Sequence, residues 1–274
     1  MSDVAKADYK YIDMVQDGPI ARFTLDRPEI HNAFNDEMIL EIERAFKDVS
    51  DDDSVRAVIL AANGKSFCAG ADLNWMKKMV DYTFQENVED AKSLADMLKA
   101  VRECRKPTIA RVHGAAFGGG VGLITACDMS ISLESCLFGL TEVRLGLLPA
   151  VISPFVLEKI GTVHANRYFL TAERFDAPEA KRIGVLSDIC ATEVEMDEWI
   201  TKILKNILKN GPEAVSACKV LNMKVMGAYW EQAMGITTQM IAERRISAEG
   251  QEGMRSFLEK QDASWVESVE PVGK

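Results

Sequence analysis

Metal-binding proteins are the first class that the 274-residue sequence argues against. Its six cysteines include no CxxC pair, and no other residues near them complete a metal-ligand spacing. We therefore expect buried or free thiols and no metal site.

Positive charge is also scarce. Lys and Arg number 32 against 42 Asp and Glu, for a net charge of -10, and no block of basic residues stands out along the chain. Binding to nucleic acid or to an anionic membrane by phosphate neutralisation is thus disfavoured. No apolar run reaches membrane-spanning length, and charges occupy the N-terminal segment where a signal peptide needs apolar residues. These features predict a cytoplasmic protein without nucleic-acid or membrane partners.

Histidine is rare as well, with three residues in the chain. His31, His113 and His164 stand in no pattern with a matched carboxylate or serine, which argues against a hydrolase triad. We expect each to be a hydrogen-bonded turn residue or a surface residue.

Hydrophobic residues, in contrast, make up 47% of the chain, enough for one enzyme-sized core. Periodicity and turn signals predict strands at 9–15, 20–25, 55–61, 108–112 and 129–133. Asn35 is placed to cap a helix, and a second, long helix is predicted from residue 84 to the break at Lys106-Pro107. Strand 108–112, a glycine loop, a helix and strand 129–133 form a βαβ unit, which predicts an α/β fold with parallel strands.

From about residue 196 the sequence predicts helices alone. An apolar stripe from Ile200 to Leu208 stops at Asn210-Gly211, Pro212 can open the next helix, and further helical stretches are predicted at 229–246 and 252–260. We divide the chain into a core, residues 1–195, and a helical region, residues 196–274. The apolar faces of these helices either contact other subunits or pack on the core of the same chain.

Two glycine loops share a design that can bind a ligand. Cys68-Ala69-Gly70-Ala71-Asp72 and Phe117-Gly118-Gly119-Gly120-Val121 each follow a predicted strand, and adjacent parallel strands bring such loops to one edge of a sheet. Backbone N–H groups that converge there would form an oxyanion hole, which stabilises charge on a carbonyl oxygen such as that of a thioester enolate. The alternative is that both loops are tight turns without a ligand. Nucleotide-binding patterns fail on spacing, because glycines are missing at Leu123, Thr125 and Ile59.

Glu142 is the candidate proton-transfer residue. It lies in FGLTEVRLGLLPA, between leucines, where burial would raise its pKa toward neutrality and suit it to general acid/base catalysis. The alternative is an ion pair with Arg144 or a cap on a turn.

Together these segments resemble the crotonase, or enoyl-CoA hydratase/isomerase, superfamily. The resemblance runs from about Ile12 to Trp265, and its markers are RPEIHNAFN, GKSFCAGADL, HGAAFGGGVGLITACD and FGLTEVRLGLLPA. It implies a spiral of ββα units followed by a helical trimerisation region, in a homotrimer or a dimer of trimers. It also implies an acyl-CoA thioester as the substrate and no further cofactor.

The resemblance assigns site residues by position. The two amides that hold the thioester oxygen correspond to Ala71 and Gly119, and Glu142 aligns with the second catalytic glutamate of the family. Segments similar to those that hold the CoA adenine and pantetheine contain Ala33, Ala69, Asp72 and Leu73. Phe257 and Lys260 resemble C-terminal residues that reach CoA, often that of a neighbouring subunit.

One departure from the family pattern concerns the first catalytic glutamate, whose position is occupied by Gly122. A single carboxylate suits a double-bond isomerase. In contrast, PAVISPFVLEKIG at 149–161, GADLNWM and RYFLTAERFD are similar to methylglutaconyl-CoA or isohexenylglutaconyl-CoA hydratases. We therefore expect hydration of a branched 2,3-unsaturated acyl-CoA, 3-methylglutaconyl-CoA, with an isomerase and a non-catalytic acyl-CoA binder as alternatives.

Overall fold

Two β-sheets and the helices around them make up the computed structural model, which describes residues 9–273. The strands are β1 (Ile12–Asp17), β2 (Ile20–Leu25), β3 (Ala57–Ala62), β4 (Ser66–Cys68), β5 (Thr108–Val112), β6 (Ala115–Phe117), β7 (Met129–Leu133), β8 (Leu137–Gly139), β9 (Arg174–Asp176) and β10 (Asp188–Cys190). The larger sheet has the order β1-β2-β3-β5-β7-β10, and the smaller has the order β4-β6-β8-β9. All pairs are parallel except β1 with β2 and β8 with β9.

The helices connect the two sheets and then form the C-terminal part of the chain. They are α1 (Asp36–Asp51), α2 (Leu73–Met79), α3 (Phe84–Glu103), α4 (Gly119–Ala126), α5 (Ser153–Thr171), α6 (Ala177–Ile183), α7 (Glu193–Ile207), α8 (Pro212–Met226), α9 (Trp230–Ile246) and α10 (Ala248–Glu259). Asn35 caps α1 as predicted, because its side chain accepts from the Met38 N–H at 2.8 Å. Pro212 opens α8, also as predicted.

The chain repeats one unit: a strand in the larger sheet, a strand in the smaller sheet, then helix. The unit occurs as β3-β4 with α2 and α3, as β5-β6 with α4, and as β7-β8 with α5. This arrangement confirms the predicted α/β fold and its ββα units. The carboxyl ends of β4, β6 and β8 therefore lie side by side in the smaller sheet, and the loops that follow them share one edge.

The central strands of the larger sheet are buried on both faces, as predicted for residues 55–61. In β3, Val58 and Leu60 belong to the core under α1, α3 and α4, whereas Ala57 and Ile59 pack with apolar residues of α7. Helix α7 thus covers the second face of the sheet. The proposed boundary between residues 195 and 196 falls inside this helix, and the division into two regions stays a prediction.

The strands of the smaller sheet were missed at the sequence level. Each has three residues, and β4 and β6 lie within glycine-rich loops, where no period-2 pattern can develop. The first predicted strand, residues 9–15, was also misplaced: β1 begins at Ile12 and continues to Asp17, directly at the Gly18 turn.

Charged contacts join α8, and the segments before α8 and after α10, to the core. Lys219 of α8 forms an ion pair with Asp128 at 2.7 Å, and the buried Arg56 donates to the Trp265 and Asn210 carbonyl oxygens and pairs with Glu267. Among residues 9–273, no helix is both long and apolar enough to cross a membrane.

Candidate active site

Two glycine turns meet at the shared edge of the smaller sheet. Gly70 follows β4 with φ 92°, and Gly118 follows β6 with φ 51°, so both occupy backbone conformations that favour glycine. A Cβ atom placed on Gly70 would lie 3.1 Å from the Phe117 carbonyl oxygen and 3.9 Å from the Gly119 nitrogen. The turns are therefore in direct contact, as expected from adjacent parallel strands.

Each turn leads to a backbone N–H that is free to bind a ligand. Within residues 9–273, neither the Ala71 N–H nor the Gly119 N–H donates a hydrogen bond to a protein group. Gly119 is also the first residue of α4, where the helix dipole favours negative charge. The structure thus brings the two predicted donors together, and neither N–H is hydrogen-bonded within residues 9–273.

Phe34 connects the two donors. Its N–H donates to the Gly70 carbonyl oxygen at 2.7 Å, and its own carbonyl oxygen accepts from the Asp72 N–H at 2.8 Å, so its backbone holds both sides of Ala71. The buried Phe34 ring packs beneath Gly119, where an added Cβ would lie 2.9 Å from Cε2. One residue therefore fixes the spacing of the two turns.

Glu142 begins a single 3-10 turn, Glu142–Leu145, which follows β8 beside β6. A Cβ atom on Gly118 would lie 3.1 Å from Glu142 Oε1, so the carboxylate faces the turn that precedes Gly119. Glu142 Oε2 is buried and has no hydrogen-bond partner in the described chain. Burial raises the pKa of Glu142, and a hydrogen bond from its own backbone opposes this effect only in part.

The ion pair considered for Glu142 at the sequence level is not formed. The Arg144 guanidinium instead donates to the Ala172 carbonyl oxygen at 2.8 Å, and no ion pair of Glu142 occurs among residues 9–273. A half-buried carboxylate without a cationic partner, next to a free backbone donor, is suited to general acid/base chemistry.

Ile152 fills the space beside Gly122, which stands where the crotonase pattern has its first catalytic glutamate. Gly122 is buried in α4, and a Cβ atom there would lie 2.8 Å from the Ile152 Cβ and closer still to Cγ2. Ile152 is 2% exposed and directly precedes α5. A side chain at residue 122 is therefore excluded unless the start of α5 moves.

Four of the residues assigned to CoA lie around the Phe34–Ala71 bridge. The Ala69 N–H donates to the His31 carbonyl oxygen at 2.9 Å, and Ala33 is buried beside them. Leu73 is exposed at the start of α2, and Asp72 is 7% exposed. The structure thus brings Ala33, Ala69, Asp72 and Leu73 to the same turn region as Ala71.

Phe257 and Lys260 lie elsewhere. Phe257 is 83% exposed on α10, and Lys260 ends that helix in a left-handed conformation. Helix α10 packs against α8 and α9, and no hydrogen bond or ion pair within residues 9–273 joins it to the site loops. Within a single chain, these two residues are not brought to the site.

The histidines and cysteines take structural positions. His31 and His113 contact the 64–66 turn, through Ser66 Oγ at 3.1 Å and the Gly64 carbonyl oxygen at 2.8 Å. All six cysteines are free, and burial raises the pKa of the Cys68 thiol to about 12, so it is inert although it lies next to the site. Among residues 9–273, no group of three or more His, Cys, Asp or Glu residues could hold a metal ion.

Sequence reasoning missed Arg27, Phe34 and Ile152. Arg27 and Phe34 stand in RPEIHNAFN, but their contacts with Asp72 and Gly119 cross 45 and 85 positions of sequence, and no local periodicity reports them. Ile152 stands in PAVISPFVLEKIG, and its contact with Gly122 joins positions 30 residues apart. No local pattern indicates this pair.

Known proteins share this architecture and sequence. The profile of the family described as enoyl-CoA hydratase/isomerase matches residues 16–268. A crotonyl-CoA hydratase of Syntrophomonas wolfei is 32% identical over 260 residues, which cover 94% of this chain and 98% of that protein. A Delta(3,5)-Delta(2,4)-dienoyl-CoA isomerase of Arabidopsis thaliana, described as peroxisomal, is 29% identical over 92% of this chain and 95% of its own.

A solved structure extends the likeness to three dimensions. The crystal structure of an enoyl-CoA hydratase from Shewanella pealeana superposes with a TM-score of 0.91 at 39% identity, covering 95% of this chain and 97% of that one. The fold, the contacting glycine turns and the match to the family profile over residues 16–268 lead to one conclusion. The chain belongs to the enoyl-CoA hydratase/isomerase family, the crotonase superfamily.

Proposed function

We propose that the protein adds water reversibly across the 2,3-double bond of a branched enoyl-CoA thioester. The observation that carries this proposal is the Glu142 carboxylate, which is half-buried, has no cationic partner among residues 9–273, and faces the turn that presents the Gly119 N–H. An acid/base group beside an oxyanion hole is the minimum that enolate chemistry requires.

The Ala71 and Gly119 N–H groups would donate to the thioester carbonyl oxygen. As water adds, negative charge develops on that oxygen, and preorganised donors stabilise the charge without reorganisation. Loss of one such donor typically costs about 3 to 4 kcal/mol of transition-state stabilisation. Because neither N–H donates a hydrogen bond within residues 9–273, both are available for this role.

Glu142 would act as the base for the attacking water. Its carboxylate takes a proton from water while the oxygen bonds to C3, and the electrons of the C2–C3 π bond move into the thioester enolate. Collapse of the enolate then takes one proton at C2, delivered by Glu142 directly or by a bound water that Glu142 reprotonates. The proton removed from water and the proton added at C2 balance, so one carboxylate completes the cycle without a metal or redox cofactor.

The proposed substrate is 3-methylglutaconyl-CoA. Its support is the similarity of residues 149–161, with GADLNWM and RYFLTAERFD, to hydratases of branched glutaconyl-CoA thioesters. Ala33, Ala69, Asp72 and Leu73 would surround the CoA moiety, since they lie at the turn that carries Ala71. Phe257 and Lys260 would reach CoA only from a neighbouring subunit. A cytoplasmic location stays a prediction from the sequence.

A second candidate function is double-bond isomerisation. Ile152 leaves no room for a side chain at Gly122, so Glu142 is the one acid assigned to the reaction. A single acid can move a proton between the α- and γ-carbons of a 3-enoyl-CoA. The same two N–H groups would hold the dienolate formed on the way.

A substrate screen separates these functions. Purified protein is incubated with 2-enoyl-CoA thioesters that are short, branched or dicarboxylic, and with a 3-enoyl-CoA, and products are identified by NMR. We expect 3-hydroxyacyl-CoA from 3-methylglutaconyl-CoA with the highest kcat/KM of the set. Conversion of the 3-enoyl-CoA to the 2-enoyl isomer without any hydroxyacyl product would establish the isomerase instead. Binding without turnover of any thioester would refute both and indicate an acyl-CoA binder.

A further inference from the structure

Arg27 joins the two chain segments that hold the Ala71 N–H. Its Nη1 donates to the Ala33 carbonyl oxygen at 2.7 Å, and its Nη2 forms an ion pair with Asp72 Oδ2 at 2.9 Å. Ala33 and Asp72 each adjoin a residue of the Phe34–Ala71 bridge. One guanidinium therefore spans both strands of that bridge.

Both side chains of the ion pair are largely buried, and both carboxylate oxygens of Asp72 have hydrogen-bond partners. The Arg27 and Asp72 side chains are 12% and 9% exposed. Asp72 Oδ1 accepts from the Asn74 N–H at 2.7 Å and so caps α2. Burial alone would raise the pKa of Asp72, but the hydrogen bonds from the Asn74 backbone and Arg27 outweigh it and lower the pKa, so the carboxylate is ionised. With both oxygens occupied, Asp72 holds the turn and does not contribute its carboxylate to a ligand.

The direction of the Ala71 N–H depends on these neighbours. The methyl side chain of Ala71 cannot orient the peptide, and the Ala71 N–H makes no hydrogen bond within residues 9–273 that would fix its direction. The Phe34 N–H binds the carbonyl oxygen of the Gly70–Ala71 peptide, which carries the Ala71 N–H, and the Phe34 carbonyl oxygen binds the next peptide at Asp72. Arg27 holds Ala33 and Asp72, the residues beside this bridge, and so keeps Phe34 and Ala71 in register. A donor displaced by about 1 Å from its productive place can cost roughly 100-fold in rate.

We propose that Arg27 is a positioning residue for the reaction: by tying Ala33 to Asp72, it aims the Ala71 N–H at the thioester oxygen. The inference rests on the proposed function, and it adds a residue outside the predicted site to the machinery of the oxyanion hole. The planar fork of Arg is needed because two acceptors on different segments must be bound at once.

Kinetics of Arg27→Met, Asp72→Asn and the double variant test the proposal. We expect each single variant to lower kcat by about 10- to 100-fold, while KM for the enoyl-CoA changes by less than about threefold. The double variant is expected to be no slower than the slower single variant, because the pair acts as a unit. Arg27→Lys, which can reach Asp72 but not both acceptors, is expected to retain an intermediate kcat.

The chain offers a matched control in Arg111 and Asp197. This ion pair has a distance of 2.7 Å, and its side chains are 11% and 15% exposed, but it joins β5 to α7. Arg111→Met and Asp197→Asn should lower the melting temperature as much as the Arg27 and Asp72 variants while kcat stays at the wild-type value.

A spectroscopic probe separates failure of this inference from failure of the proposed function. A conjugated dienoyl-CoA absorbs at longer wavelength when donors polarise its carbonyl group. We expect a red shift with the wild type and a smaller shift with Arg27→Met and Asp72→Asn. A folded Asp72→Asn protein with the full shift and full kcat would overturn the role of Arg27, even if Arg27→Met proved too unstable to purify. A wild type that neither shifts the probe nor converts any enoyl-CoA would instead overturn the proposed function.

Discussion

The central residue of the site, Glu142, carries a thermodynamic cost. Its Oε2 is buried without a hydrogen-bond partner in the described chain, and burial raises its pKa. A carboxylate whose folded-state pKa is raised is destabilising in its ionised form, so the cost is absent below the pKa of free glutamic acid and complete above the raised pKa. Proteins keep such groups where function needs them.

A stability measurement checks this cost. Glu142→Gln removes the charge and keeps the shape, so it should raise the melting temperature above pH 7 by on the order of 2 °C. The gain should disappear as the pH falls toward about 4.3, the ordinary value for glutamic acid. Calorimetry at several pH values measures the difference. Equal melting temperatures of the two proteins across the whole range would show that Glu142 is not desolvated.

The pH dependence of the reaction follows from the same residue. The base form of Glu142 is required for water activation, so kcat/KM should fall as the pH drops through its raised pKa. The inflection should lie above the pH expected for an ordinary glutamate, and rate measurements from pH 4 to 9 would locate it. An inflection at or below about 4.3 would contradict the assignment.

At the level of elements, α4 and the start of α5 are fitted to each other through Gly122 and Ile152. Gly122 has no side chain, and the buried Ile152 side chain fills the space that a side chain at residue 122 would occupy. Because an interior of this density cannot absorb additional atoms, a catalytic residue cannot be inserted at 122 by itself.

A double-mutant cycle tests this fit. Gly122→Ala should lower the free energy of unfolding by about 1 to 3 kcal/mol, because its Cβ would overlap Ile152. In the Ile152→Gly background the same change should cost much less, since the overlapping atoms are gone. Gly227→Ala, where an added Cβ meets nothing within 4 Å, is the control and should be near neutral. Equal costs of Gly122→Ala in both backgrounds would contradict the pairing.

At the level of the whole molecule, the C-terminal helices leave large apolar side chains exposed in the single chain. Within the described chain, no residue of α8, α9 or α10 is fully buried, and Trp230, Ile246 and Phe257 are 76%, 80% and 83% exposed. Apolar faces of this extent are typical of subunit contacts. They favour a contact with another subunit, and the homotrimer or dimer of trimers, with Phe257 and Lys260 at a neighbouring site, stays a prediction.

Light scattering tests the assembly. We expect a mass three or six times that of the single chain, and we expect Trp230→Glu to shift it toward the monomer. Leu40→Glu on α1, 56% exposed, is the control and should leave the mass unchanged. A wild type that is monomeric at micromolar concentration would contradict the prediction.

The sequence predicted most of what depends on local pattern. The Asn35 cap, the β3 strand buried on both faces and the βαβ unit around the glycine loop follow from periodicity and capping chemistry, which act over a few residues. The smaller sheet was not predicted, because three-residue strands such as β4 carry no pattern and form only by pairing with distant partners.

The site residues also fall into those that local motifs predict and those that only the packing reveals. The family motifs located the two N–H donors and Glu142, and the structure places all three loops at one edge of the smaller sheet. The supporting residues Arg27, Phe34 and Ile152 could not be predicted, since their roles arise from packing between segments that the chain order does not bring together.

The most direct test of the account is the turnover of 3-methylglutaconyl-CoA by Glu142→Gln, with binding of the thioester measured in parallel by calorimetry. We expect kcat to fall by about 100- to 10,000-fold while the dissociation constant stays close to that of the wild type. Hydration at the wild-type rate by the folded variant would contradict it, because the one acid assigned to the site would then have no part in the reaction.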